Sequence, residues 1–463
     1  MSRTQLLWLR RDLRLADNPA LYHAAKAGPV VAVYVLDDES PKHHAYGGAS
    51  RWWLHHSLEA LAKSLEAVGS KLILRRGEAV AELTKLAEET GATTIHANCH
   101  YEPWWRNAER KLAKSIDLQL HHGNYLMEPG SITTGTGGQY KIYTPFSRAV
   151  RAEFPPRDEL PAPEKLEPPA SWPASDELAA WHLLPTKPDW AGGMRDFWDI
   201  GEAAAHKRLA AFEEDVDDYD DKRNFPSVDK VSRLSPHLHW GEISPVQIWH
   251  RFKHKRSEGW RTFEGELIWR DYAANAILQF PKYASANYRE DFDRFPWRDP
   301  ASEEAAARDL KAWQQGRTGY PIVDAGMRQL WQTGWMHNRV RMITASFLIK
   351  HLLIDWREGE KWFWDTLCDA DYASNATNWQ WTAGTGVDSN MFSRIMAPLS
   401  QSEKFDAAHY IRTYVPELKG IDAPYIHDPE EAGCRPSAYP RKIVSHRAAR
   451  ERALAALKTI KSG

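Results

Sequence analysis

Over its first 125 residues the chain alternates short apolar runs with amphipathic stretches. The runs fall at Leu6–Leu9, Val30–Leu36, Lys71–Leu74, Thr93–Ala97 and Leu118–His121. Between the second and third, Leu54, Leu58, Leu61, Leu65 and Val68 recur at helical spacing, and Gly69 ends the repeat. Apolar residues at i, i+4 and i+7 mark one face of a helix, and a glycine just past the last of them is a common stop. A second such face, Val80, Leu83 and Ala87, ends near Gly91. Strands alternating with helices build βαβ units. The pattern therefore predicts an α/β domain with a doubly wound, parallel five-stranded sheet, whose ligands usually sit beyond the strand C-termini.

The pattern then changes twice. Ser131 to Tyr143 reads as a hairpin around Gly135, Gly137 and Gly138. No helical repeat opens on that glycine cluster, so it predicts a turn rather than a phosphate loop. Nine of the 28 prolines fall between Pro155 and Pro188, which predicts an extended connector, because proline removes the helical donor and clashes with the preceding turn. Beyond about Gly201 the 3.6-residue period runs to the end. The chain thus divides into an α/β domain over 1–130, a hairpin and long proline-rich linker over 131–200, and an all-α domain over 201–463.

Composition narrows the function classes. Of 463 residues, 43% are hydrophobic and 26% charged, with a net charge of -2. Any nucleic-acid footprint must then be a local basic patch. Three dispersed cysteines and an N-terminus that reaches Arg10, Arg11 and Arg14 without an apolar leader fit a cytoplasmic protein. The apolar run Met342–Ile354 carries Lys350 and His351 and is too short to span a bilayer. There is no HExxH, CxxC or nucleophile-elbow motif, which argues against hydrolase and metal chemistry. His250 and His254 have ligand spacing but lie among Arg251, Lys253, Lys255 and Arg256, and they read as a solvated basic face with no metal. The 22 tryptophans outnumber both the 17 tyrosines and the 14 phenylalanines, so their placement carries information.

Three helical stretches set tryptophan beside polar groups on common faces: Glu266, Trp269 and Arg270; Trp335, Asn338 and Met342; and Asp371, Asn375 and Trp379. Three such faces in one domain predict the lining of a polar cavity. A fourth element, Tyr219 followed by Val231-Ser232-Arg233-Leu234-Ser235, offers Ser232 or Ser235 as a helix cap. Arg233 stands beside it as an anion-attracting group.

Several segments resemble the photolyase/cryptochrome family, over essentially the whole chain. Leu7–Leu15 with Asp17-Asn18 resembles its opening strand and loop. Thr318–Arg328, Gly334–Met342, Asp355–Glu360 and Asn378–Trp381 resemble its helical segments, in order. The resemblance implies an α/β antenna domain joined by a long linker to an all-helical domain that binds FAD, fully reduced in the active form. It implies that Tyr219, Ser232, Arg233, Leu234, Ser235, Arg270, Asn338, Arg341, Asp369, Asp371 and Asn375 surround the flavin, Asn375 facing its N5. Where the family has a threonine before Ser232, this chain has Val231.

The implied activity is light-dependent repair of cyclobutane pyrimidine dimers in DNA. The dimer leaves the base stack, as in other base-flipping enzymes, and receives an electron from the flavin. In that scheme Glu266, protonated by burial, and Asn338 donate to the dimer. Met342 marks the cyclobutane-dimer class where (6-4) photolyases carry histidine, and Trp269 and Trp381 stack on the bases. Trp379, Trp356 and Trp297 relay electrons to the surface, and Arg223, Trp269, Arg339, Arg394 and Lys404 meet the DNA. An antenna chromophore, methenyltetrahydrofolate rather than deazaflavin, is a further expectation. It is set against Trp104-Trp105 standing where folate-binding relatives carry Asn-Glu. Trp52–His56 resembles the class III branch, leaving class I and class III both open. The partner is UV-damaged DNA, and the protein is expected to be a monomer. A cryptochrome-type photoreceptor, a (6-4) photolyase and a dark nucleotide-binding enzyme are the alternatives.

Overall fold

Residues 3–389 and 391–461 are described by the structure, a computed structural model. Five strands, β1 (Gln5–Leu9), β2 (Val30–Leu36), β3 (Leu72–Arg76), β4 (Thr94–Asn98) and β5 (Asp117–His121), form a parallel sheet in the order β3-β2-β1-β4-β5. β1 and β2 are buried along their whole length. Alternate residues serve opposite faces, as the strand period requires. Leu7, Leu9, Ala32 and Tyr34 pack with the helices Pro19–Ala27 and Gly48–Ala67. Leu6, Trp8, Val31 and Val33 pack with Ala79–Thr90 and Pro103–Leu112.

The strand order reverses between β1 and β4, where open sheets hold their ligands. Here the chain's own side chains fill that crevice. Asn98 donates to Asp12 at 2.6 Å and to Asn18 at 2.8 Å, Arg10 pairs with Glu109 at 2.7 Å, and Arg11 pairs with Glu102.

The expected hairpin over 131–143 reduces to a single antiparallel bridge, Thr133 to Gln139, and Tyr143 already opens the helix Tyr143–Ala152. Glycines at 135, 137 and 138 offer no cross-strand side-chain pairs to extend a ladder. The proline-rich stretch wraps over the α/β domain. Leu166 N–H donates to Val68 O, Asp176 N–H to Leu74 O, and Asp17 N–H to Leu160 O. Helices then dominate. A core that includes Trp313, Phe347, Leu348, Trp356 and Trp379 unites the helical half. A second cluster joins Trp240, Trp335 and Cys368 to the sheet domain's Trp52, Trp53 and Leu54, so the two halves share buried surface. Among the described residues no helix is long and apolar enough to cross a membrane.

Candidate functional site

A cavity of about 440 Å³ opens in the helical half, a volume suited to a sizeable organic ligand. The helix Glu258–Gln279 starts at Ser257, whose hydroxyl accepts from Trp260 N–H at 3.2 Å. That phase turns Glu266, Trp269 and Arg270 to the cavity. Asn338, Arg341 and Met342 come from the helix Asn338–Ser346. Asp371 is the N-cap of the helix Tyr372–Ala383, accepting from Ser374 N–H at 2.8 Å, and Asn375, Trp379 and Trp381 follow on that helix. Tyr219, Ser232, Arg233 and Ser235 close the wall, and Arg223 and Asp369 also line it.

Several expectations need correction. Trp335 does not share a helix with Asn338 and Met342. Gly334, at φ 66°, closes the preceding helix Pro321–Thr333, and the next begins at Asn338. The cavity still gathers all three side chains.

Neither Ser232 nor Ser235 caps a helix. The short helix Ser235–His239 has Leu234 at its cap position, without a side-chain bond. Ser232 accepts from Leu234 N–H at 3.3 Å and Ser235 from Trp335 Nε1 at 3.2 Å. Leu234 itself is fully buried behind the wall. Arg233, in the left-handed region at φ 51°, pairs with Asp229 at 2.8 Å while lining the cavity.

Glu266 is not the deeply buried carboxyl the burial argument requires. Its side chain is 33% exposed and meets the Arg223 guanidinium at 2.5 Å. The i, i+4 neighbour Arg270 instead donates to the backbone carbonyls of Asn124 and Leu238.

The cavity is electrostatically structured. Arg341 donates to Asp369 Oδ2 at 2.8 Å, while Asp369 Oδ1 is buried without a partner. Asp371 is half-buried, and its loss of water alone would raise its carboxyl. His239 and the Arg11 guanidinium, 2.9 Å away, hold it well below the usual carboxylate range instead. Burial pushes His239 down to about 4, and its Nε2 has no partner. Asn375 donates through Nδ2 to Glu360 Oε1 at 2.9 Å, which commits the amide nitrogen and leaves Oδ1 as the free acceptor. Glu360 was not among the expected residues. It sits on another helix, Trp356–Thr366, and no spacing signal links it to Asn375.

Trp269 stacks on Tyr143 with centroids 3.5 Å apart and planes 3° apart, so one of its faces is already covered. Trp379 abuts Gly359 of the helix Trp356–Thr366, where a Cβ would meet its ring at 2.1 Å. Trp356, one turn back on that helix, is fully buried and donates to Asn287 at 2.8 Å. Trp297 is half-buried and does not line the cavity. Its neighbour Arg298 bridges to Ile354, which brings that chain beside the Trp356 segment.

Among the basic residues, Arg223 lines the cavity, while Arg339, Arg394 and Lys404 do not. Burial, then the positive charges of Arg223 and Arg394, push the Arg339 guanidinium down. Arg339 and Lys404 share the Phe405 ring at 4.7 and 5.3 Å. Away from the cavity, Glu102 is spent on Arg11 and Trp105 lies under the Arg11 guanidinium at 4.9 Å. His55, His56 and Glu59 bring possible metal-ligand atoms within 4.8 Å of one another on one helix, through their own hydrogen-bonding contacts of 3.4 and 3.1 Å.

Two family models match: DNA photolyase over residues 5–165, and the FAD binding domain of DNA photolyase over 263–459. The chain is 46% identical to a deoxyribodipyrimidine photo-lyase of Agrobacterium fabrum, over 98% of both chains. It is 36% identical to Cryptochrome-1 of Arabidopsis thaliana, over 92% of this chain and 65% of that one. A crystal structure of a bacterial class III photolyase from Agrobacterium tumefaciens superposes with a TM-score of 0.93 at 45% identity, covering 100% of this chain and 98% of the other. With the sheet order, the helical cavity and both family models in agreement along one chain, the protein belongs to the photolyase/cryptochrome family.

Proposed function

We propose that this protein repairs cyclobutane pyrimidine dimers in DNA with light, holding FAD and a flipped dimer in the same cavity. The observation that carries the proposal is the mixed lining of that cavity, where flavin-type polar groups and dimer-type aromatic walls face one space. The residues fit FAD. Asp369 Oδ1, buried and unpartnered, lies beside Arg341, and Arg233, Ser232 and Ser235 offer a cationic and hydroxyl-bearing wall for a diphosphate. When bound, reduced FAD supplies the light-excited electron.

The side chains do the rest. Asp371, kept anionic by His239 and Arg11, fixes hydrogen-bond polarity at the cavity floor. Asn375, its nitrogen held by Glu360, offers a carbonyl oxygen to the flavin edge. Trp381 and the free face of Trp269 stack on the bases; base–aromatic stacking is worth about 1–3 kcal/mol per base. Asn338 offers a donor to the dimer carbonyls, where charge grows after electron transfer, and Glu266 holds the Arg223 guanidinium at the same wall. Met342 beside Asn338 keeps this corner apolar and without a titrating acid, which favours the cyclobutane over the (6-4) lesion. Trp379, Trp356 and Trp297 serve photoreduction, and Arg223, Arg339, Arg394 and Lys404 hold the phosphates.

The protein acts as a monomer in the cytoplasm, and methenyltetrahydrofolate is the second chromophore, favoured by the resemblance of Trp52–His56 to the folate-using class III branch although Trp104-Trp105 replace the usual Asn-Glu. Defined duplexes carrying one cyclobutane dimer or one (6-4) product, illuminated with reduced protein, test the substrate. Restoration of the first but not the second supports the proposal, and restoration of the (6-4) product alone overturns it.

A further inference from the structure

Glu360 Oε1, which accepts from Asn375 Nδ2 at 2.9 Å, lies 3.5 Å from a second nitrogen, Nε2 of His44. His44 belongs to the α/β half, in the segment between β2 and the helix Gly48–Ala67. Both side chains are only 5% exposed, and His44 Nε2 is buried without a hydrogen bond, within ion-pair distance of Glu360. The imidazole is boxed by four rings, with His43 tilted against it at 4.1 Å. Trp104 lies nearly parallel at 6.2 Å, and Trp364 and Tyr372 meet it edge-on at 5.1 and 4.9 Å. Around it the two halves are clamped. Trp364 Nε1 donates to Ala45 O at 2.9 Å, Gly48 N–H donates to Asp365 Oδ1 at 2.8 Å, and a Cβ on Gly47 would stand 2.3 Å from the Asp365 backbone. So much fixed geometry around one nitrogen is more than packing requires.

We propose that His44 is a positioning residue for the flavin site: its Nε2–H, reaching across the domain interface to Glu360, polarises the carboxylate that orients the Asn375 amide. This deepens the proposed function and rests on the placement of Asn375 beside the flavin. The physical basis is the shared oxygen. Glu360 Oε1 accepts from Asn375 and lies at ion-pair distance from His44 Nε2 in a buried setting, where a low dielectric lets removal of that nitrogen change the remaining bond. The antenna domain thereby sets the strength of the acceptor that Asn375 offers inside the cavity.

Two substitutions separate this from mere packing. His44→Phe keeps a ring in the aromatic box and removes the donor, whereas His44→Gln places an amide N–H near the Nε2 position and gives up the ring. The readout is the Asn375 side-chain carbonyl band in light-minus-dark infrared difference spectra of the flavin-loaded protein, isotope-edited with labelled asparagine and assigned by its loss in Asn375→Ser. The band shifts in His44→Phe, in the same direction as in Glu360→Gln, and returns to the wild-type position in His44→Gln. An unshifted band in His44→Phe, with Glu360→Gln shifted, overturns the role of His44 and leaves the flavin reading intact. A band unmoved by Glu360→Gln overturns the placement of Asn375 and this proposal with it.

Discussion

At the scale of single residues, Glu266 has the most contested role. Its ion pair with Arg223 at 2.5 Å ties it to one of the basic residues proposed to hold the DNA phosphates. As an acceptor it acts by holding the Arg223 guanidinium at the cavity wall; an electrostatic donor aimed at charge that appears only after electron transfer contributes mainly to the reaction, and losing one costs about 3 kcal/mol in well-studied enzymes. Glu266→Ala, which releases Arg223, therefore lowers repair yield per bound dimer much more than dimer affinity, while Glu266→Gln, which keeps an acceptor for Arg223, retains most of the yield. Affinity and single-flash yield measured at one salt concentration check this; a collapse of affinity with unchanged yield assigns Glu266 to binding alone.

Trp379 is the second such residue. It lies on Gly359, with Phe363 at 4.9 Å and Trp313 at 6.4 Å. Trp379→Phe abolishes photoreduction of oxidised flavin and leaves repair by chemically reduced protein nearly unchanged, because the relay feeds the flavin and does not separate it from the dimer. Absorbance during illumination and a repair assay after chemical reduction read the two activities separately.

Among the elements, the joint between the β5 end and the long helix Glu258–Gln279 is pH-sensitive. Asp271 is fully buried and accepts Leu126 N–H at 3.2 Å and Met127 N–H at 2.9 Å, and burial raises its carboxyl to about 7. An unfolded aspartate titrates near 3.9. The folded protein therefore holds this proton more tightly, and the stability it contributes is present below about pH 4 and lost as pH rises toward about 7. Relative to Asp271→Asn, wild type loses stability between pH 5 and pH 8, which parallel denaturant titrations measure. A difference independent of pH would mean that the two backbone bonds outweigh the burial.

What the sequence revealed at this scale follows from the range of the signals. β1 to β4 were legible because Val and Leu runs bounded by helical repeats have few other solutions. The edge strand β5 was legible too, although Leu120 is 40% exposed. The hairpin was not, since glycine marks a turn without saying whether a ladder flanks it. The face drawn through Trp335, Asn338 and Met342 crossed Gly334, a stop that the same reasoning uses elsewhere. Contacts between distant elements left no periodic trace. Arg11 with Asp371, Glu360 with Asn375, and His44 with Glu360 each join separate stretches of chain, and only the fold brings them together.

For the molecule as a whole, a net charge of -2 and a DNA substrate are reconciled by local clustering. Arg339 and Lys404 share the Phe405 ring, and the charges of Arg223 and Arg394 are felt at Arg339. Each phosphate neutralised contributes a slope of roughly -0.9 in log affinity against log salt. Arg339→Ala reduces the slope for dimer-containing duplex by about 0.9, the increment for one contact, and weakens damaged and undamaged DNA alike. Binding isotherms across a salt series check this, and an unchanged slope removes Arg339 from the footprint.

The central claim is that light, through a flavin in this cavity, reverses the dimer. A single measurement tests it most directly: reduced protein is mixed with dimer-containing oligothymidine in EDTA, divided between darkness and blue light, and the lost thymine absorbance is followed as it returns. Recovery under blue light alone, without metal or nucleoside triphosphate, is the predicted result. Equal recovery in the dark, or none in the light from protein that carries reduced flavin and binds the oligonucleotide, contradicts it.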